Sequence, residues 1–135
     1  PYFDDKFAQD LGIARASVDE ICEKCDFITL HSVLTDETRN LINADRIAKM
    51  KKTAILINTA RGGLIDEKAL LGLLTAGHLA GAALDCFTKE PYDGPLKEMD
   101  NVILTPHIGS YAKEARIIME TDTIKNLLDV LFPGV

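Results

Sequence analysis

Several residues in this chain have the chemistry of a proton-transfer or anion-binding site, and each stands just beyond a short apolar run. Arg61 lies in NTARGG (Asn58 to Gly63), after AILI (Ala54 to Ile57). A guanidinium can grip a carboxylate with two parallel donors, and Gly62–Gly63 lets backbone come close to a ligand. His107 follows VILT (Val102 to Thr105) and Pro106, and precedes Ile108 and Gly109. Imidazole titrates near neutrality, which suits general acid–base work. Asp85 follows GAAL (Gly81 to Leu84), with Glu90 five residues on, and His31 and Ser32 follow FITL (Phe27 to Leu30). A carboxylate such as Glu90 on one nitrogen of His107 would fix the tautomer and steady the protonated ring.

Each of these residues also has a plainer reading. Arg61 could be a surface side chain paired with Asp66 or Glu67, and His107 could cap a following helix. Glu90 before Pro91 is an ordinary turn residue. Asp85, emerging from an apolar strand, needs a donor. An amide-bearing ligand or a neighbouring Ser/Thr hydroxyl would serve.

The elements that must position these groups alternate along the chain. Ser17 to Lys24 has helical spacing at Val18, Ile21 and Cys22, with Ser17 or Asp19 as a cap. Asn43 to Met50 reads as a short helix with Ile47 and Met50 inward. Asp66 to Ala76 reads as a helix capped by Asp66 and stopped at Gly77. A long helix is expected from about Ser110 to Leu131, burying Ala112, Ala115, Ile118, Met119, Ile124, Leu127 and Leu128, and ended by Pro133 and Gly134. Between them lie the four apolar runs, and a further strand is expected near Gly12–Ile13. Strands apolar throughout are buried on both faces, and helical crossovers make neighbours parallel. The fold class expected is therefore α/β, a doubly wound parallel sheet whose strands end at one edge, where ligands bind.

Composition narrows the partners. The 135 residues carry Lys+Arg 15 against Asp+Glu 21, a net charge of −6, and 47% are hydrophobic. The acidic balance argues against nucleic acid, and no apolar run reaches membrane-spanning length. The opening PYFDDKFAQD lacks the apolar stretch of a signal peptide. Three cysteines without such a signal suggest a reducing, cytoplasmic setting. Cys22 and Cys25 form a lone C-x-x-C on a helix and read as core thiols, Cys86 reads as a core or site-wall residue, and no metal site is expected. His78 after Gly77 reads as a helix C-terminal cation or a solvent-facing residue.

The motifs NTARGGLIDEKAL (Asn58 to Leu70), LDCFTKEP (Leu84 to Pro91) and TPHIGS (Thr105 to Ser110), preceded by HSVLTDETRNLIN (His31 to Asn43), resemble successive signatures of the D-isomer-specific 2-hydroxyacid dehydrogenases. EPYDGPL (Glu90 to Leu96) is similar to the D-3-phosphoglycerate dehydrogenase branch of that family. The resemblance implies an NAD-dependent oxidoreductase of D-2-hydroxy and 2-keto acids, with hydride transfer. It implies that Arg61 binds the substrate carboxylate, His107 is the acid/base and Glu90 orients it. It further implies that Asp85 contacts the nicotinamide carboxamide and that Thr59, Ala60, Arg61 and His107 lie along the nicotinamide end of NAD. His31, Ser32 and Val33 would wall the cofactor crevice, with Gly109 and Ser110 beside nicotinamide. Homodimers are common in the family.

Three departures accompany the resemblance. The family usually places Pro where Val33 stands and commonly Val where Cys86 stands. No G-x-G-x-x-G occurs in the sequence. Pro1–Tyr2 resembles the residues just after the family's ribose-binding Asp. Residues 1–135 are therefore expected to be a fragment of the NAD-binding domain, without its first two strands, its phosphate turn and the substrate domain, and inactive alone. A non-catalytic alternative is an NAD-sensing corepressor-like scaffold, which shares the same Arg–Glu–His set.

Overall fold

A computed structural model describes residues 5–133, so Pro1–Tyr2 and Gly134, read above, lie outside the described residues. Four strands form one sheet in the order β1 (Phe27–Leu30), β2 (Ile55–Asn58), β3 (Gly81–Leu84) and β4 (Val102–Leu104), and every neighbouring pair is parallel. The apolar runs thus become strands within a residue of their expected bounds, and the α/β class holds.

The register aligns the strand ends. Leu30, Asn58 and Leu84 stand side by side, with Leu104 beside Leu84. The polar residues that follow the four runs therefore leave one edge of the sheet together.

Strand order steps in one direction from β1 to β4. With right-handed crossovers, that order puts all connecting helices on the same face. Helices α2 (Val18–Lys24), α3 (Ala44–Lys49) and α4 (Glu67–Thr75) bury Cys22, Ile47, Leu70 and Leu74 against Ile28, Leu30, Leu56, Ala82 and Leu84. Each fully buried Leu or Ile side chain contributes about 1.5–3 kcal/mol, so this single layer holds the sheet. The described residues show one winding of the doubly wound pattern. On the opposite face Phe27 is 70% and Ile103 68% exposed. Burial on both faces, expected from uniformly apolar strands, is therefore corrected: periodicity marks strands that can be buried twice, and among the described residues one face leaves Phe27 and Ile103 uncovered.

Helix ends follow local chemistry. Ser17 caps α2 through a capping box with Glu20, Asn43 caps α3 by accepting from the Arg46 N–H, and Asp66 caps α4 by accepting from the Ala69 N–H. Each satisfies N–H groups that a helix start leaves unpaired. Gly77 stops α4 at φ +67, a conformation open to glycine at no steric cost.

Two further expectations need correction. Around Gly12–Ile13 there is no strand; helix α1 (Asp5–Asp10) precedes, and its chain turns out through Gly12 at φ +66. Helix α5 (Lys113–Leu131) forms near its expected bounds, but none of its residues is buried, and Ile118, Met119, Ile124, Leu127 and Leu128 are each about half exposed. Its apolar spacing describes a face able to pack, and no neighbouring element of the described chain meets it. Among the described residues no helix is long and apolar enough to cross a membrane.

Candidate active site

Beyond β2 the chain turns through Thr59–Arg61 into a short helical turn. Asn58 is 1% exposed and its side chain folds back on the loop it precedes. Its Nδ2 donates to the Arg61 carbonyl at 2.9 Å, and its Oδ1 accepts from the Ala60 N–H at 3.1 Å. Two bonds from one buried amide set the Thr59–Arg61 backbone before the helical turn η1 (Gly62–Leu64) begins. Gly62 is required there sterically. A Cβ would fall within 3.0 Å of the backbone of Phe87 and Thr88, the loop that leaves β3. The absence of a side chain therefore lets the Arg61 loop press directly on the loop that carries Glu90.

Arg61 itself is exposed, and its Nη1 donates to the Ala60 carbonyl at 2.6 Å. It makes no pairing with Asp66, which caps α4, or with Glu67, which accepts from the Thr88 N–H at 2.6 Å. The surface-pair reading of Arg61 thus falls, and its guanidinium faces the clefts.

His107 and Glu90 meet across 17 residues of sequence. Nδ1 of His107 lies 2.9 Å from Oε2 and 3.1 Å from Oε1 of Glu90. A carboxylate only accepts, so this hydrogen bond requires a proton on Nδ1 and leaves Nε2 outside the pair. Glu90 also accepts from the Phe87 N–H at 3.0 Å. That backbone bond first, and His107 second, hold the Glu90 carboxyl below its ordinary range. Glu90 is more than a turn residue, and His107 does not cap α5, whose start at Ala112 has no side-chain cap.

Asp85 anchors the loop on which His107 stands. The side chain is 6% exposed. Oδ1 accepts from the Thr105 hydroxyl at 2.5 Å and the Ile108 N–H at 2.9 Å, while Oδ2 accepts from the Gly109 N–H at 3.1 Å. The neighbouring Thr hydroxyl expected from the sequence is thus one partner, joined by two backbone donors. Burial by itself would raise the Asp85 carboxyl, but these three bonds and nearby His107 outweigh it and hold the group below its usual range. The clamp spans His107, whose φ of 55 lies in the left-handed region that non-glycine residues rarely adopt.

Arg61 lines two clefts at this edge. The first, about 340 Å³, is bounded by Arg61, Cys86, Glu90 and His107, with Leu34 and Arg39 opposite. The second, about 630 Å³, is walled by His31, Ser32, Val33, Thr59 and Ala60 beside Arg61. The structure therefore gathers the residues singled out in the sequence into two adjoining groups. Asp85, Gly109 and Ser110 line neither cleft; Asp85 and Gly109 form the support of the His107 loop. His31 shares a 3.0 Å hydrogen bond between Nε2 and the Thr29 hydroxyl.

Sequence reasoning missed Asn58 as the organiser of the arginine loop and Arg39 as a second cation of the smaller cleft. A buried-type strand ending in Asn, just ahead of a polar turn, was a usable signal for the first. Arg39 gave none, since it stands in a charged, irregular stretch. His78 sits at the end of α4 as expected, but its Nε2 is buried without a hydrogen-bond partner.

Residues 2–109 match the family described as D-isomer specific 2-hydroxyacid dehydrogenase, NAD binding domain. The chain is 46% identical over 133 residues to a D-3-phosphoglycerate dehydrogenase of Methanocaldococcus jannaschii, covering 97% of this chain and 25% of that protein. It is 50% identical over 116 residues to a glyoxylate reductase of Thermofilum pendens, covering 84% of this chain and 34% of that one. The fold superposes on the crystal structure of a glyoxylate reductase from Paecilomyes thermophila with a TM-score of 0.91 at 34% identity, covering 99% of this chain and 40% of that one. The chain thus spans about a quarter to a third of the length of these two curated relatives.

Proposed function

The chain belongs to the D-isomer specific 2-hydroxyacid dehydrogenases through their NAD-binding domain, and from that premise we propose that it carries the catalytic edge of an NAD-dependent oxidoreductase acting on D-2-hydroxy and 2-keto acids. The observation that carries this reading is the smaller cleft, where Arg61, Glu90 and His107 converge from three separate strand ends. We read residues 1–135 as part of such a domain and the substrate as of the D-3-phosphoglycerate type. A cytoplasmic homodimer is the setting proposed: the three cysteines are free thiols, and the apolar residues of α5 and of the outer sheet face stand exposed among the described residues.

The residues present fit the nicotinamide end of the cofactor. The larger cleft offers hydroxyls at Ser32 and Thr59 and an open backbone stretch through Ala60, matching a ligand end that carries an amide and a sugar. NAD, when bound there, supplies or accepts the hydride. Asp85 faces its own loop donors, so its contribution is read as holding that loop as much as meeting an amide.

Arg61 would pair with the substrate carboxylate in two-point fashion and place the neighbouring C2 carbonyl toward the His107 ring. His107 would give the Nε2 proton to the carbonyl oxygen in reduction and take it back in oxidation. Glu90 keeps the second proton on Nδ1, so the ring that loses a proton is left in one defined tautomer. A positioned acid–base group contributes about 10²–10⁴-fold to rate. In the catalytically competent protein that contains this chain, His107→Gln is expected to cut turnover of 3-phosphohydroxypyruvate or glyoxylate by that factor while NAD affinity stays nearly unchanged. Near-normal turnover in the variant would overturn the assignment. The scaffold alternative gains no support from the enzyme names its relatives carry.

A further inference from the structure

One side chain of the smaller cleft has no part in that proton transfer. Cys86 is 3% exposed, yet it lines the cleft, and its thiol donates to the Ala60 carbonyl over 3.5 Å. The potential ligand atoms of Cys86, Glu90 and His107 all lie within 4.8 Å of one another. A thiol sulfur, a carboxylate oxygen and an imidazole nitrogen converging at that spacing form the donor set that borderline-soft divalent cations take.

We propose that Cys86, Glu90 and His107 form a binding site for a zinc-class divalent cation, one that competes with the proton held between Glu90 and His107. Three protein ligands leave a fourth tetrahedral position for water, the arrangement of an open zinc site. On binding, the Cys86 thiol releases its proton to solvent and gives up its bond to the Ala60 carbonyl. The carboxylate binds as it stands, and the ring binds neutral through Nδ1, whose proton passes through solvent to Nε2 or is lost to solvent if Nε2 already carries one. The cation carries no redox role here. It occupies the place from which Glu90 orients His107, so the cation-loaded site cannot perform the acid–base step.

Only that last consequence rests on the dehydrogenase reading; the binding site rests on the donor geometry alone. Residues 86, 90 and 107 are too far apart in sequence, and too irregularly spaced, for the motif to be read without the fold. The C-x-x-C pair, Cys22 with Cys25, is the competing place for a soft cation, and Cys22 is fully buried within α2.

Titration of the full chain with Co²⁺, a spectroscopic stand-in for Zn²⁺, tests the site without any turnover. A near-ultraviolet thiolate-to-cobalt band saturating at one equivalent and displaced by Zn²⁺ is expected. Cys86→Val and His107→Gln should each weaken binding by at least about tenfold, since loss of even a group that only orients a ligand costs about 10–100-fold, whereas Cys25→Ser should leave it intact. Circular dichroism establishes that each variant is folded, and the half-exposed His107 ring can be changed without touching the core. Absence of the band in the unaltered chain overturns the site. So does a band that survives Cys86→Val or disappears with Cys25→Ser. Loss of turnover in His107→Gln without any cobalt band would sustain the dehydrogenase reading and refute the metal site.

Discussion

Replacing Asp85 by Asn tests whether the His107 loop is held by charge. The carboxylate makes three hydrogen bonds, to the Thr105 hydroxyl, the Ile108 N–H and the Gly109 N–H. Bonds to a charged group are worth about 1.5–3 kcal/mol each, against about 0.5–1.5 for neutral pairs. With its oxygen at the Oδ1 position, Asn keeps the first two bonds in neutral form and forfeits about 1 kcal/mol on each. Its NH2 then faces the Gly109 N–H, so a third bond becomes a donor against a donor. Gly109 is exposed, so water repairs part of that loss, leaving roughly another 1 kcal/mol. Against this, removing a charge from a 6% exposed position relieves the burial penalty that acts on Asp85. The net expected loss is about 1–3 kcal/mol. Urea denaturation of the chain and its Asp85→Asn variant measures it, and amide proton shifts of Ile108 and Gly109 report the clamp directly. A variant as stable as the parent, with both amides unmoved, would refute the clamp.

Two other outcomes follow from the structure. Gly62→Ala forces a Cβ into the backbone of Phe87 and Thr88, which no rotamer change can relieve; overpacking of this kind costs about 1–3 kcal/mol, and thermal melting that shows no loss would contradict the close approach. Asp19 is held below its ordinary 3.8 by Lys49 first and Arg46 second, and Lys49 is held above its ordinary 10.5 chiefly by Asp19. The contribution of this pair to docking α2 on α3 is thus present from above pH 3.8 to below pH 10.5. It fades as acid protonates Asp19 through its lowered folded value, or as base removes the Lys49 proton through its raised one. The residues are exposed and the effect is small, so an NMR titration giving an Asp19 midpoint at or above 3.8 is the result that refutes it.

Much of the candidate site was legible because parallel strands share a direction. Once FITL, AILI, GAAL and VILT were recognised as strands, the residues after them had to emerge together, and Arg61, Asp85 and His107 do. Glu90 needed the partner to be meaningful, and the fold supplied His107 at 2.9 Å. What the pattern could not convey was occupancy. The apolar positions of α5, and Phe27 and Ile103 on the sheet, are written for burial, but burial requires a surface opposite, which no local spacing encodes. Nor could it convey backbone conformation at His107. Left-handed φ is usually signalled by Gly or Asn, and the sequence shows a histidine flanked by Pro106 and Ile108. The division of Arg61 between two clefts depends on Asn58 folding back to fix its loop, a contact between near neighbours that propensity does not register.

The left-handed backbone at His107 sets two selective pressures against each other. A β-carbon in that region costs about 1–2 kcal/mol, a strain that the Asp85 clamp must absorb. Glycine or asparagine would relax the same backbone and lose the imidazole. Random substitution followed by a screen for thermal stability would therefore favour loss of the proposed proton donor at this position. A screen for turnover would retain the strained residue. The chain keeps an imidazole at a place in the loop where folding alone would choose another amino acid.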